Sequence, residues 1–110
     1  MSRPTNDEII AMRQSADKAG NLFEKIGLRL LSAEYHIRDL NIEIERSKKD
    51  GKNDMTILLV SAREEAKMRK DELNTRWNEQ LGLQTSLWNI YCAALEAQSA
   101  YDAEAVKHVI

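Results

Sequence analysis

The sequence predicts an all-α protein: a long, coiled-coil-like antiparallel helical hairpin that assembles into a four-helix bundle. Three observations carry this expectation. From Ile9 onward, steps of three and four residues meet only apolar side chains: Ile9, Met12, Ala16, Ala19, Phe23, Ile26, Leu30, Ala33, Ile37, Leu40 and Ile44. With 43% apolar residues overall, such a run arises by chance roughly once in 10⁴ reading frames, so a seam of period 3.5 is real. One apolar-free stretch, Lys48 to Asp54, follows the seam and has the composition of a turn. Each helix then carries a second apolar stripe that a lone hairpin leaves wet.

The first helix is expected over Thr5 to Lys49. Thr5 and Glu8 have capping-box spacing, and Asp7 and Glu8 suit the positive end of the helix dipole. Gly20-Asn21, followed by Glu24, could end one helix and start another, and Gly27 weakens the region further. The seam crosses both glycines without a change of rhythm, so one continuous helix is the better reading. Gly51 is placed for the left-handed residue that follows a helix end, giving a turn at 50–53. A second helix is expected over 54–108, with Asn53 or Asp54 as cap and Gly82 as its one glycine. Exposed pairs Glu34/Arg38, Glu45/Lys49, Glu65/Arg69 and Glu72/Arg76 have the favourable acid-first, four-apart order.

Folding the second helix onto the first pairs positions whose numbers add to about 103. Leu73 then meets Leu30, Trp77 meets Ile26, Leu81 meets Phe23, and Gln84 meets Ala19. Trp88 meets Ala16, Tyr91 meets Met12 and Leu95 meets Ile9. Large residues face small ones, as close packing requires. Leu73, Trp77 and Leu81 are spaced four and four, which predicts a stutter and local unwinding.

The composition narrows the function classes. One domain, 1–110, is expected, with 31% charged and 5% aromatic residues and no β-branched runs broken by turns. A net charge of −2 gives no long-range pull toward nucleic acid or an anionic membrane. Cys92 is the only cysteine, so no disulfide closes within the chain and a reducing compartment is expected. No apolar run approaches the roughly 20 residues of a membrane span, and Met1 to Glu8 lacks the apolar core of a secretory signal. A cytoplasmic protein with no membrane contact is the expectation.

Candidate chemistry is sparse. His36 and His108 lack the carboxylate spacing of a bundle metal site, and the Glu104/His108 pair is better read as complementing the helix dipole. Cys92 lies among Ile90, Tyr91, Ala93 and Ala94, which argues for a core thiol. Trp77, Trp88 and Tyr91 fit core filling better than a base-stacking platform. With no phosphate loop and no Ser/His/Asp set, neither catalysis nor a cofactor or metal is expected. In size and hairpin shape the chain resembles the small helical proteins exported by type VII secretion. It departs from their motifs: Asp50-Gly51-Lys52 stands where they carry Trp-x-Gly, and Tyr101 is followed four on by Ala105 rather than an acid.

The expected function is a protein-binding module, such as a small adaptor, chaperone or inhibitor. Its candidate interface joins Leu28, Leu31, Tyr35 and Ile42 to Leu83, Leu87, Ile90, Ala94 and Tyr101. The first stripe lies in the half near the turn and the second in the open half. Two copies placed head to tail therefore lay one against the other, giving an antiparallel homodimer. The alternative is a nucleic-acid-associated protein. It would use a basic tip of Arg46, Lys48, Lys49 and Lys52, within a stretch, 46–70, holding eight bases and four acids.

Overall fold

The structure, a computed structural model, describes the backbone of residues 4–109 and the side chains of residues 4–104. The described residues form two α-helices and no strand: α1 (Asn6–Lys49) and α2 (Asn53–Val109). They fall into two compact units, one of Met1–Phe23 with Glu79–Ile110 and one of Glu24–Asn78.

Local chemistry sets the helix ends. The Glu8 N–H donates to the Thr5 hydroxyl at 3.1 Å, the capping bond expected from the sequence. At the other end, the Gly51 N–H donates to the Lys48 carbonyl at 3.2 Å, and the Lys52 N–H to the Ser47 carbonyl at 3.0 Å. That is a Schellman motif, which consumes two carbonyls the helix leaves open. It requires a left-handed residue, and Gly51 supplies φ 68°.

α1 passes Gly20-Asn21 unbroken. All eleven seam residues are buried or half-buried, and between residues 10 and 46 only Gly20 and Gly27 join them. Ser47 extends the seam one step further. It is buried, and its hydroxyl donates to the Ile44 carbonyl at 3.0 Å and shares a hydrogen bond with Thr56 of α2.

The stutter expected in α2 is absent. Its inward positions are Thr56, Leu59, Arg63, Ala66, Lys70, Leu73, Trp77, Gln80, Gln84, Leu87, Tyr91, Ala94 and Gln98, in strict steps of three and four, and none is exposed. Leu81, Trp88 and Leu95, expected on this seam, stand on its flank and are exposed. The repeat continues through polar residues because Arg, Lys and Gln cover the seam with their methylene stems while their ends reach the edge.

Those polar ends fix the register in each unit. In the first, the Gln98 side chain donates to Asn6 Oδ1 at 2.8 Å and Arg13 Nη1 donates to the Tyr91 hydroxyl at 3.3 Å. Gly20 faces Gln84, and Gln80 Nε2 donates to the Ala19 carbonyl at 3.0 Å. In the second, Gly27 faces Trp77, Lys70 Nζ lies 3.7 Å from Glu34, and Arg63 Nη1 donates to Asn41 Oδ1 at 3.1 Å. Apart from the Gln80 bond, these partners' numbers add to 104, within one of the expected pairing. A Cβ at residue 27 would lie 3.5 Å from Trp77 Nε1, so glycine leaves room there for the indole.

The core is thin. Its buried apolar residues are Ile9, Ala16, Ala19, Ile26, Leu40, Ile44, Ala66 and Ala94, and half of these are alanines. Ile44 is the one large described side chain that is fully buried. None of the four expected acid-first pairs forms. Glu34 turns to Lys70 across the helices, Glu45 to Lys48 at 3.6 Å, and Arg38 lies over the Tyr35 ring at 5.4 Å. Exposed pairs differ by only a few tenths of a kcal/mol, so a neighbouring partner displaces them easily.

Candidate interaction surfaces

On the second unit, Leu28, Leu31, Tyr35 and Ile42 are all exposed, Leu28 at 68%. Leu28, Tyr35 and Ile42 recur every seven residues, opposite the α1 seam, so pairing with α2 does not use them. On the first unit, Leu83, Ile90 and Tyr101 are likewise exposed. Leu87 and Ala94 are placed differently from the sequence expectation: both belong to the seam, with Leu87 half-buried and Ala94 at 8% exposure. The loss of the stutter moves them. Once Gln80 and Gln84 hold the seam, Leu87 and Ala94 follow at the next inward steps.

Leu83 and Ile90 therefore flank the α2 seam on one side, with Leu81, Trp88 and Leu95 on the other. A shallow groove beside the first flank is lined by Glu8, Ala11, Met12, Ser15, Leu87 and Ile90. The second flank carries a cluster that joins residues 78 apart in sequence. The Arg13 guanidinium lies 5.2 Å from the Trp88 ring centre and 5.4 Å from that of Tyr91, and the two rings are 5.4 Å apart. The Tyr91 hydroxyl, and then Asp17 at 3.2 Å, raise the Arg13 pKa above its already high value. Arginine, tryptophan and tyrosine held together in this way are the residue types that anchor protein interfaces.

At the turn, Arg46, Lys48, Lys49 and Lys52 are exposed. Arg46 and Lys49 line a groove with Arg38, Asn41, Ile42 and Glu45. Glu43, Glu45, Asp50 and Asp54 lie within the same twelve residues and match the four cations one for one. Three apolar residues beside them, Met55, Ile57 and Leu58, are also exposed and were not singled out from the sequence.

A different cationic group lies along the second unit. Arg29, Ser32, Ala33, His36, Ala66, Arg69 and Leu73 line one groove between α1 and α2. Its floor is Ala33, Ala66 and Leu73, none of them exposed.

Among the described residues no group of histidine, cysteine or acidic side chains could hold a metal. Cys92 is half-buried, and the His108 side chain lies outside the described residues. No described helix is long and apolar enough to cross a membrane. Compared with known proteins, the chain matches no family model, no curated relative and no solved structure.

Proposed function

We propose that the chain is a non-catalytic protein-interaction module that works as a helical homodimer, a four-helix bundle closed by its exposed apolar stripes. The observation that carries this reading is surface area. The chain exposes 8509 Å², whereas a compact monomer of 12.6 kDa exposes about 6200 Å². The excess, about 2300 Å² per chain or about 4600 Å² for two, falls in the range that obligate dimers bury in total. Among the described residues sixteen large apolar side chains are exposed against a buried apolar core of eight, which places much of that excess on apolar groups.

Sedimentation at micromolar concentration tests the reading. The wild type should run as a dimer, and Leu83→Glu with Ile90→Glu should run as a monomer of undiminished helicity. A monomeric wild type would refute the dimer, and a dimer indifferent to both changes would refute these stripes. The nucleic-acid reading is the weaker one, since four acids lie within the same twelve residues as the tip's four cations. It would prevail if duplex binding weakened steeply between about 50 and 200 mM salt and disappeared when Lys48, Lys49 and Lys52 became glutamate.

A further inference from the structure

The groove lined by Arg29, His36 and Arg69 has a feature that the α1–α2 pairing does not explain. By register, Arg29 stands across the groove from Arg76, and His36 from Arg69, one step off the paired numbers of the hydrogen-bonded edge. Opposite charges are the rule at such flanking positions, and the other edge follows it with Glu34 and Lys70. Here Arg29 faces Arg76, and Arg69 faces His36 rather than an acid. Among the described residues, none of Arg29, His36, Arg69 and Arg76 has an ion pair or hydrogen bond. Glu65 and Glu72, one turn before Arg69 and Arg76, do not reach them. The groove thus offers positive walls over a floor of two alanines and a leucine. Because alanine is small, the floor admits the side chains of an approaching helix.

The chain contains a segment with the opposite character. From Trp77 to Val106 there is no lysine or arginine, while Glu79, Glu96, Asp102 and Glu104 are all acidic. The same segment presents Leu83 and Ile90 outward. We propose that the groove receives this half of α2, residues 77–106, from a second copy. The assignment rests on the homodimer reading and changes its pairing: Leu83 and Ile90 meet this groove rather than Leu28, Leu31, Tyr35 and Ile42. Glu79, one turn before Leu83, and Glu104, two heptads after Ile90, share the face of Leu83 and Ile90; they lie along the arginine walls while Leu83 and Ile90 cover the Ala33, Ala66 and Leu73 floor. A nucleic acid would answer the charge and leave that floor bare, so a helix fits better. Every copy holds one groove and one acidic helix, so two reciprocal contacts close a two-fold dimer.

The test uses two charge-reversed full-length variants. Arg29→Glu with Arg69→Glu makes the groove acidic, and Glu79→Arg with Glu104→Arg makes the groove-facing side of the helix basic. Each alone should dimerise roughly 100-fold more weakly than wild type, because like charges then meet twice. Mixed, they should form a heterodimer, since every groove then meets a helix of opposite sign. Circular dichroism checks that both stay helical, and Arg29→Gln with Arg69→Gln, expected to weaken association about tenfold, replaces the first variant if it does not fold. A wild-type dimer that ignores the groove changes overturns this assignment while leaving the homodimer. Failure of the mixture to associate overturns it too, as does short duplex DNA bound by the wild type and released by the groove changes. A monomeric wild type overturns both readings.

Discussion

Replacing Ile44 with alanine tests the core where it is most completely closed. Ile44 is 1% exposed and sits one turn before the Schellman motif, with its carbonyl held by Ser47. The substitution removes three carbons, each worth about 0.8 kcal/mol of transfer free energy, or roughly 2.4 kcal/mol together. A cavity term adds to this, because the neighbouring Ser47 and Thr56 hydroxyls are tied to each other and cannot move in to fill the space. The expected loss is about 3–4 kcal/mol. The control is Met68→Ala: Met68 is 67% exposed and should cost under about 0.5 kcal/mol. Urea unfolding followed by circular dichroism, at one fixed protein concentration, measures both, since association would shift every midpoint. With a slope near 2 kcal/mol/M, Ile44→Ala should lower the midpoint by about 1.5–2 M. A loss under about 1 kcal/mol, or one matched by Met68→Ala, would refute the placement of the core.

Two further predictions rest on burial and backbone geometry. Leu40→Asp should unfold the chain at pH 7, whereas Ile37→Asp should only weaken it, because Leu40 is buried and Ile37 is half-buried and reached by water; equal thermal melts for the two would contradict this. Gly82→Ala should stabilise by up to about 1 kcal/mol, as Gly82 lies inside α2 with nothing within 4 Å of an added Cβ. Gly51→Ala, in equally open space but at φ 68°, should destabilise by about 1 kcal/mol, and melting shifts of the same sign would show the turn is wrongly described.

The sequence revealed α1 and hid the seam of α2, for one physical reason. Every α1 seam residue before Ser47 is apolar, so residue type and position give the same message. In α2 the inward positions include Arg63, Lys70, Gln80, Gln84 and Gln98, whose stems pack while their polar ends bond the α1 edge. A reading that follows hydrophobicity keeps Gln84 but skips Gln80, lands on Leu81, Trp88 and Leu95, and must then invoke a stutter. The usable signal was the turn. Gly51 fixes where the chain reverses, and stepping by seven from Thr56 gives Arg63, Lys70, Trp77, Gln84, Tyr91 and Gln98 without reference to polarity. The Arg13–Trp88–Tyr91 cluster had no comparable signal, because it depends on a contact between residues far apart in sequence.

The flanks of α2 separate what holds the helices together from what meets a partner. Its seam keeps one rhythm from Thr56 to Gln98, yet the residues beside it change character near residue 78. Before it they are Val60 and Ala62, then Lys67, Arg69, Asn74 and Arg76; after it they are Leu81, Leu83, Trp88, Ile90, Leu95 and Ala97. Pairing with α1 cannot require that change, because hydrogen bonds to α1 fix the same register on both sides of it. In the first unit the seam mixes large apolar residues, Ile9, Met12, Phe23, Leu87 and Tyr91, with Ala16, Ala19, Gln80, Gln84, Ala94 and Gln98. Further apolar area stands on its flanks, where pairing with α1 leaves it exposed. Wide apolar flanks on one half of α2, and Arg69 and Arg76 without ion pairs beside the other, support the proposed association of two copies.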